Sequence, residues 1–473
     1  MLSIGYLVEA ITEEKITGLG EVITDAVVDS RRVTPGALFV AMAGESQDGH
    51  DFVADAVERG AMAALVERDV QLEASSLDLR KPLAKQLKQE LEPPIILKVA
   101  NTLDALQKAA KSWRAQSEAR VIGITGSVGK STTKELVADV LSRRYKTVRS
   151  PGNLNNEIGL PLSLLRLTEA HERAVLEMGF YVPGEIALLC DIAQPHIGVV
   201  TNISQVHLER AGSMDAIVSG KGELVEALPP APEGVAILNF DDPLVRELAD
   251  RTQARVFYYG ISPDADLWAS DVEGLGLDGL RCVIHHGEDA IHCRVPLLGR
   301  HSVHTILRAA SVGIVEGLSW SEIIGGLQDT HSQLRLVAVQ TANGALLLDD
   351  TYNAAPTSVI AALNLLDDLE GRKIAVLGDM LELGEFEERG HRLVGARAAQ
   401  VVDLLITVGD RAQWIAKEAR AARLSESQVV VLGSGDEVIE YLDEKVGEGD
   451  VVLVKGSHGM RLDRIVTALE EIE

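Results

Sequence analysis

Short apolar runs, each followed by a longer amphipathic or polar stretch, recur along most of this chain. Between residues 121 and 238 they are Val121–Ile124, Ala174–Leu176, Ile197–Thr201 and Ala236–Leu238. Runs this short, spaced by helical or loop segments, predict buried strands with helices crossing between them: a doubly wound, mostly parallel sheet. A second series begins near His331, with Ala345–Leu348, Ile374–Leu377, Leu404–Val408, Val429–Leu432 and Val451–Val454, and predicts a Rossmann-like unit. Its runs end in Asp349-Asp350, Gly378-Asp379, Gly409-Asp410, Gly433-Ser434 and Lys455-Gly456-Ser457. Ligands of open α/β sheets bind at the carboxyl ends of strands, so these polar tips should face a shared cleft.

The first hundred residues read as a smaller mixed α/β unit. Val27–Arg32 and Ala37–Ala41 are strand-like with Pro35-Gly36 as the turn between them, and Asp51–Ala64 has a helical pattern. Residues 71–94 are charged and leucine-spaced and close with Pro93-Pro94, which predicts an insertion of helical character. Residues 266–298 break into short alternating runs and predict an antiparallel patch. Within them Gly274-Leu275-Gly276-Leu277-Asp278-Gly279 fits G-x-G-x-x-G, yet a strand-like run follows where a dinucleotide site needs a helix, so a hairpin turn is expected.

At 473 residues the chain is too long for one core. The patterns divide it into three α/β domains, residues 1–99, 100–331 and 332–473, the central one doubly wound. A net charge of −26 argues against a nucleic-acid partner, because no broad basic field can offset it. Cys190, Cys282 and Cys293 show no C-x-x-C spacing and are expected to be reduced, buried thiols of a cytoplasmic protein, although Cys282 and Cys293 could face each other across two strands. The first residues lack a basic leader pattern, and no run approaches about 18 apolar residues, so neither export nor membrane insertion is expected. A monomer is expected.

The densest chemical signal is Ile124-Thr125-Gly126-Ser127-Val128-Gly129-Lys130-Ser131-Thr132-Thr133, between an apolar run and an amphipathic helical pattern. A glycine-rich turn from strand to helix aims backbone N–H groups and the positive helix end at one point, and so cradles phosphate. Lys130 supplies a cation for the β/γ-phosphates and Ser131 a hydroxyl for the accompanying magnesium. Ile124 occupies the place of the usual first P-loop glycine, giving a shorter T-G-x-x-G-K-S form.

Other candidates carry alternatives. Glu177, ending a strand-like run, suits a magnesium ligand or a solvated edge acid. His207, shortly after Thr201-Asn202-Ile203, could orient a phosphate, bind a second metal or simply hydrogen-bond. Lys221, beside glycines near an expected helix start, reads as a surface charge. The amide-rich loop Pro151–Gly159, with Asn153, Asn155 and Asn156, can cap a helix or present amides to an anionic substrate. Asp349–Asn353 suits ribose hydroxyls, amine recruitment or a helix N-cap.

Taken in order, T-G-x-x-G-K-S, G-N-x-N-N-x-x-G, E-M-G, T-N-I, H-L-E, K-G-E and a carboxy-terminal K-G-S resemble the Mur ligases, ATP-dependent amide-forming enzymes of peptidoglycan precursor synthesis. The D-N-P-R sequence of the member adding the third, diamino residue is absent. Instead Asp349–Pro356, Leu377–Gly384 and Lys455–Met460 resemble the member adding D-alanyl-D-alanine to UDP-N-acetylmuramoyl-tripeptide through an acyl phosphate. The resemblance implies ATP held by Thr125, Gly126, Ser127, Gly129, Lys130, Ser131, Thr132 and Asp350. It implies one magnesium on Ser131 and Glu177, a second on His207, and a carbamylated Lys221 as an anionic metal ligand. It further implies that Arg335 reaches the nucleotide or acyl phosphate, and that Ser30, Arg31, Asn153, Asn155, Asn156, Tyr352, Asn353, Lys455 and Ser457 bind substrates. One departure stands out: Ser302 and Thr305 occupy the family's two asparagine positions near adenine, so altered base contacts are expected.

Overall fold

The structure, a computed structural model, describes residues 2–16, 19–44, 47–86, 91–206, 208–329, 337–341 and 343–470. Three sheets organise them. The first is five-stranded and parallel throughout, in the order Ala26–Val27, Leu38–Val40, Ala63–Val66, Ile95–Lys98, Ser75–Asp78. The first two strands are joined by a crossover rather than a hairpin. The strand-like run beginning at Val27 is cut short because the Asp29 carboxylate accepts from the Arg31 N–H and starts a 3-10 turn over Ser30–Arg32. Residues 71–94 correct the helical expectation. Leu77 and Leu83 are both buried, but from a strand and from a 3-10 turn, and Asp78 folds back onto the Arg80 N–H and guanidinium to end the strand. Residues 87–90 lie outside the described residues. The helical pattern at 51–64 resolves into a 3-10 turn, Gly49–Phe52, the short helix Val53–Glu58 and the strand Ala63–Val66. A helix not anticipated from the pattern, Ile4–Thr12, is capped by the Ser3 side chain.

The middle sheet has nine strands: Asp289–Val295, Leu280–His286, Leu267–Gly274, Arg255–Gly260, Val235–Asn239, Ile197–Val200, Arg120–Thr125, Arg173–Glu177 and Thr147–Arg149. Seven run parallel, and the last two pairings in chain order are antiparallel, as the alternating run predicted. The G-x-G-x-x-G stretch is the hairpin turn between two of them, with positive φ at Gly276 and Gly279. Cys282 faces Cys293 across that ladder, Sγ to Sγ 3.4 Å, both as free thiols. Helices Lys130–Ser142, Val303–Val315 and Trp320–Leu327 cover one face, and Thr102–Ala115, Gly159–Leu164, Glu185–Ala193 and Met214–Glu226 the other.

The third sheet orders Val337–Gln340, Leu346–Asp350, Asp450–Lys455, Arg372–Gly378, Leu404–Val408 and Val429–Leu432, parallel except for its first pairing, with apolar cores on both faces. Among the described residues no helix is long and apolar enough to cross a membrane.

One apolar core spans the first and middle sheets. Helix Thr102–Ala115, capped by Asn101, buries Leu106, Ala109, Ala110 and Trp113 between them. Trp113 packs edge-on against Tyr6 at 5.2 Å, and its indole N–H donates to the Leu167 carbonyl at 3.0 Å. Trp113→Ala removes this junction and should cost about 3–5 kcal/mol. Urea unfolding of the unsubstituted protein should show one transition for both units, with a lower midpoint in the variant; separate transitions in the unsubstituted protein would show that the cores are independent.

Candidate active site

Strand Arg120–Thr125 lies between Ile197–Val200 and Arg173–Glu177, with Thr125 opposite Val200 and Ile124 opposite Glu177. The chain therefore leaves the sheet where the strand order switches, the usual ligand crevice of an α/β sheet. Thr125 Oγ1 donates to the Met178 carbonyl (3.0 Å), and Gly126 turns the chain at φ 139°. A Cβ on Gly126 would lie 1.9 Å from Thr201 Oγ1, so only glycine fits. The segment after Ile197–Val200 then holds the loop along its length. The Ser127 N–H donates to Asn202 O (2.9 Å) and the Val128 N–H to Asn202 Oδ1 (3.0 Å). Thr201 Oγ1 and Asn202 Nδ2 both donate to Val128 O, at 2.8 and 3.0 Å. Gly129, at φ 84°, caps helix Lys130–Ser142, whose first turn carries Ser131 and Thr132. Lys130 Nζ arches back onto the carbonyls of Gly126 (2.9 Å) and Ser127 (3.4 Å).

Ser131 Oγ donates to Glu177 Oε2 at 2.5 Å, and Asn155 Nδ2 to Glu177 Oε1 at 2.8 Å. Glu177 is 1% exposed, which removes the reading of a solvated edge acid. A hydroxyl and one carboxylate beside a phosphate cradle fit magnesium, which takes hard oxygen ligands and completes its shell from phosphates and water. Among the described residues no group of three or more His, Cys, Asp or Glu converges as a ready-made metal site. His207 and Arg335 lie outside the described residues.

Lys221 corrects the surface-charge reading. It sits inside helix Met214–Glu226, which begins at the Ser213 cap, and is 1% exposed, its ammonium 4.8 Å from the Phe180 ring centroid. Burial, reinforced by the Lys130 charge, pushes its pKa well below the ordinary lysine value.

The amide loop divides its labour. Asn155 reaches Glu177, whereas Asn156 accepts from the Gly159 N–H (2.8 Å) at the start of the next helix. The Asn153 carbonyl accepts from the Asn155 N–H at 2.8 Å. The loop's entry is clamped by Lys134, whose Nζ donates to the carbonyls of Ser150 (2.8 Å) and Gly152 (2.7 Å). Sequence reading missed Lys134. The signal was its place on the same helical stripe as Val137 and Leu141, where a lysine must find buried acceptors.

On the third sheet Lys455, 2% exposed, donates to Asp350 Oδ2 (2.7 Å) and Asn353 O (2.9 Å). Asp349 accepts from the Thr351 N–H and hydroxyl, an Asx-type turn rather than a helix cap. Tyr352 is exposed at the tip of that turn. Ser457 Oγ accepts from the Leu381 N–H (2.9 Å) and Asp379 Oδ1 from the Ala412 N–H (2.7 Å), binding the strand-end loops to one another. In the first unit Ser30 is buried, and Arg31 pairs with Asp29 through two N–H donors at 2.9 and 2.8 Å. Ser302 and Thr305 hydroxyls are engaged internally: Ser302 donates to Leu298 O (2.7 Å), and Thr305 accepts from Arg308 (2.7 Å).

Three family models match the chain: "Mur ligase family, catalytic domain" over residues 23–114, "Mur ligase middle domain" over 124–313, and "Mur ligase, glutamate ligase domain" over 334–458. The UDP-N-acetylmuramoyl-tripeptide–D-alanyl-D-alanine ligase of Bacillus subtilis is 35% identical over 457 residues, 95% of this chain and 94% of that one. Among solved structures, MurF from Acinetobacter baumannii superposes with a TM-score of 0.82 at 29% identity, covering 98% of this chain and 97% of its own. The MurF ligase of Thermotoga maritima, in complex with ADP, gives 0.76 at 28% identity over 94% and 96%.

His391 fixes the Gly378-Asp379-Met380 loop. Fully buried, it donates from Nδ1 to the Glu387 carbonyl (2.7 Å) and accepts the Met380 N–H at Nε2 (3.0 Å), so the ring is neutral. Desolvation lowers its pKa below the ordinary histidine value. As pH falls below about 6.5 the unfolded chain takes up this proton and the native state does not, so stability declines down to the folded pKa by at most about 1.4 kcal/mol per pH unit. The urea midpoint should drop between about pH 7 and pH 5, and His391→Gln should flatten that drop. An unchanged slope in the variant would assign the decline to other groups.

Proposed function

This chain belongs to the Mur ligase family, and we propose that it joins D-alanyl-D-alanine to UDP-N-acetylmuramoyl-tripeptide at the expense of ATP. The observation that carries the reading is the Ser131–Glu177 contact at the mouth of a fully braced P-loop, with Lys130 arched over the loop carbonyls. The choice of substrates rests on the relatives that bear that activity in their names.

The chemistry follows from positioning and charge neutralisation. A terminal carboxylate oxygen of the tripeptide attacks the γ-phosphorus of ATP, giving an acyl phosphate and ADP. The amine of the dipeptide then attacks the acyl carbon, and the tetrahedral intermediate loses its proton and expels inorganic phosphate, leaving the amide. In this division residues 1–99 hold the UDP-sugar end, with Ser30 and Arg31 contributing; residues 100–331 hold ATP; and residues 332–473 present the dipeptide. Thr125, Gly126, Ser127, Gly129 and Thr132 shape the phosphate cradle, and Lys130 moves from the loop carbonyls to the β/γ-phosphates. Ser131 and Glu177 would hold one magnesium, which would supply neutralisation of phosphoryl charge. His207 and a carbamylated Lys221 would hold a second. The support for modification is the burial of Lys221: desolvation lowers its pKa and so favours the neutral amine, the form that is nucleophilic toward CO2, and the carbamate would supply an oxygen ligand there. Asn153, Asn155 and Asn156 line the tripeptide's path. Asp350, Tyr352, Asn353, Lys455 and Ser457 frame the dipeptide and nucleotide on the facing unit, and Arg335 reaches across to the transferring phosphoryl group.

Phosphate release from ATP and UDP-N-acetylmuramoyl-tripeptide should require D-alanyl-D-alanine, with single D-alanine and no amine both silent and mass spectrometry recording the pentapeptide. Release with another amine instead would point to a sibling ligase. Lys130→Ala should reduce turnover on the order of a thousandfold with an unchanged melting profile, and unaltered product yield would sink the role given to the P-loop. Labelling with 13C-bicarbonate should give a carbamate carbonyl resonance that is lost in Lys221→Ala. A resonance surviving that substitution would move the modification elsewhere.

A further inference from the structure

Helix Val303–Val315 packs against the P-loop helix and carries a cation whose side-chain partners, the Thr305 and Tyr259 hydroxyls, are both neutral. Arg308 is 4% exposed. Its Nη2 donates to Thr305 Oγ1 at 2.7 Å, its guanidinium carbon lies 5.9 Å from the Tyr259 ring centroid, and its Nε has no hydrogen-bond partner. The two acids facing Tyr259 are engaged elsewhere. Asp241 accepts from His304 and from the Ile261 and Ser262 N–H groups, and Asp242 from the N–H groups of Ile203, Leu244 and Val245. No carboxylate pairs with Arg308 among the described residues. Arginine does not surrender its proton in a protein, so a full positive charge is buried here without a counter-ion, a costly arrangement.

Its position suggests what balances it. A Cβ on Gly129, the residue capping the P-loop helix, would lie 3.3 Å from Arg308 Nη2. Beneath it the Tyr259 hydroxyl donates to Thr201 O at 3.0 Å, and Thr201 Oγ1 in turn holds Val128 of the loop. The guanidinium is therefore wedged under the phosphate cradle, between the loop and the residues that brace it.

We propose that Arg308 is a positioning residue for the nucleotide, a fixed cation under the P-loop whose counter-charge is the polyphosphate chain. This rests on the ATP-dependent reading above, and deepens it by adding a phosphate-recognition element outside the motif. It assigns Arg308 to the phosphates and not to the base, since the guanidinium lies against Gly129 of the phosphate loop.

The test uses the full-length protein and two variants, Arg308→Met, similar in bulk but neutral, and Arg308→Lys. Calorimetric titration with ADP and with adenosine is read beside the melting temperature without ligand. Without nucleotide, Arg308→Met should melt at or above the wild-type temperature, because an unpaired buried charge has been removed. Its Kd for ADP should rise on the order of tenfold while that for adenosine stays unchanged, and Arg308→Lys should recover part of the ADP affinity. An ADP Kd for Arg308→Met within about twofold of wild type would overturn the inference. So would equal losses for ADP and adenosine with a lowered melting temperature, which would make Arg308 a packing residue. Failure of the wild type itself to bind ADP would instead remove the ATP reading on which both rest.

Discussion

Everything at this site depends on the Thr201–Ser204 segment holding the P-loop in a shape it could not keep alone. Loop backbone that surrounds a phosphate cannot satisfy its own polar groups, because its N–H groups must stay aimed at the ligand. Here the outward-facing carbonyl of Val128 and the N–H groups of Ser127 and Val128 are taken by Thr201 and Asn202, which leaves the rest of the loop free to point inward. Gly126 and Thr201 then lie so close that the strand ends and the loop form one rigid piece. The pairing of adjacent parallel strands is thus what sets the position of the phosphate.

A second theme is the burial of cations around this piece. Lys134, Lys221, Arg308 and Lys455 are all nearly inaccessible to solvent. Two of them are satisfied by the protein: Lys134 by carbonyl oxygens, and Lys455 by Asp350 together with a carbonyl. For Lys221 and Arg308 no carboxylate is at hand among the described residues, and both flank the P-loop, the one acting on Lys130 and the other lying against Gly129. A chain carrying net charge −26 meets a polyanionic substrate with local positive charge held in place by the fold, Arg308 keeping its charge while burial drives Lys221 toward the neutral amine.

Much of this was legible in the sequence because period and punctuation acted together. The strands of the middle and third sheets fall where the apolar runs lie, and Gly126, Lys130, Ser131 and Glu177 converge as their spacing implied. The failures have a common cause. In residues 71–94 leucine spacing looked helical, but the local turn made by Asp78 overrode it. At Asp29 a side chain competing for the backbone ended a strand early. Lys134 and Arg308 were illegible as site residues, and Lys221 became one only through the family resemblance, because a charged residue on a buried stripe can be told from one on a solvated face only when the opposing element is known. Sequence locates the loop but not the roof and floor that tertiary packing supplies.

The shared core between the first and middle sheets has a mechanical consequence. Rotating one against the other would expose Trp113, Leu106 and their neighbours to water, so these two units move as one body. The contacts between the middle and third units include the ion pairs Arg210–Glu382 (3.2 Å) and Arg300–Asp368 (3.9 Å), between exposed arginines and half-buried carboxylates, beside the apolar contact of Leu298. Ion pairs of that kind are weak and are screened by salt. Added salt therefore weakens these ion pairs to the third unit while leaving the apolar core that the first two sheets share.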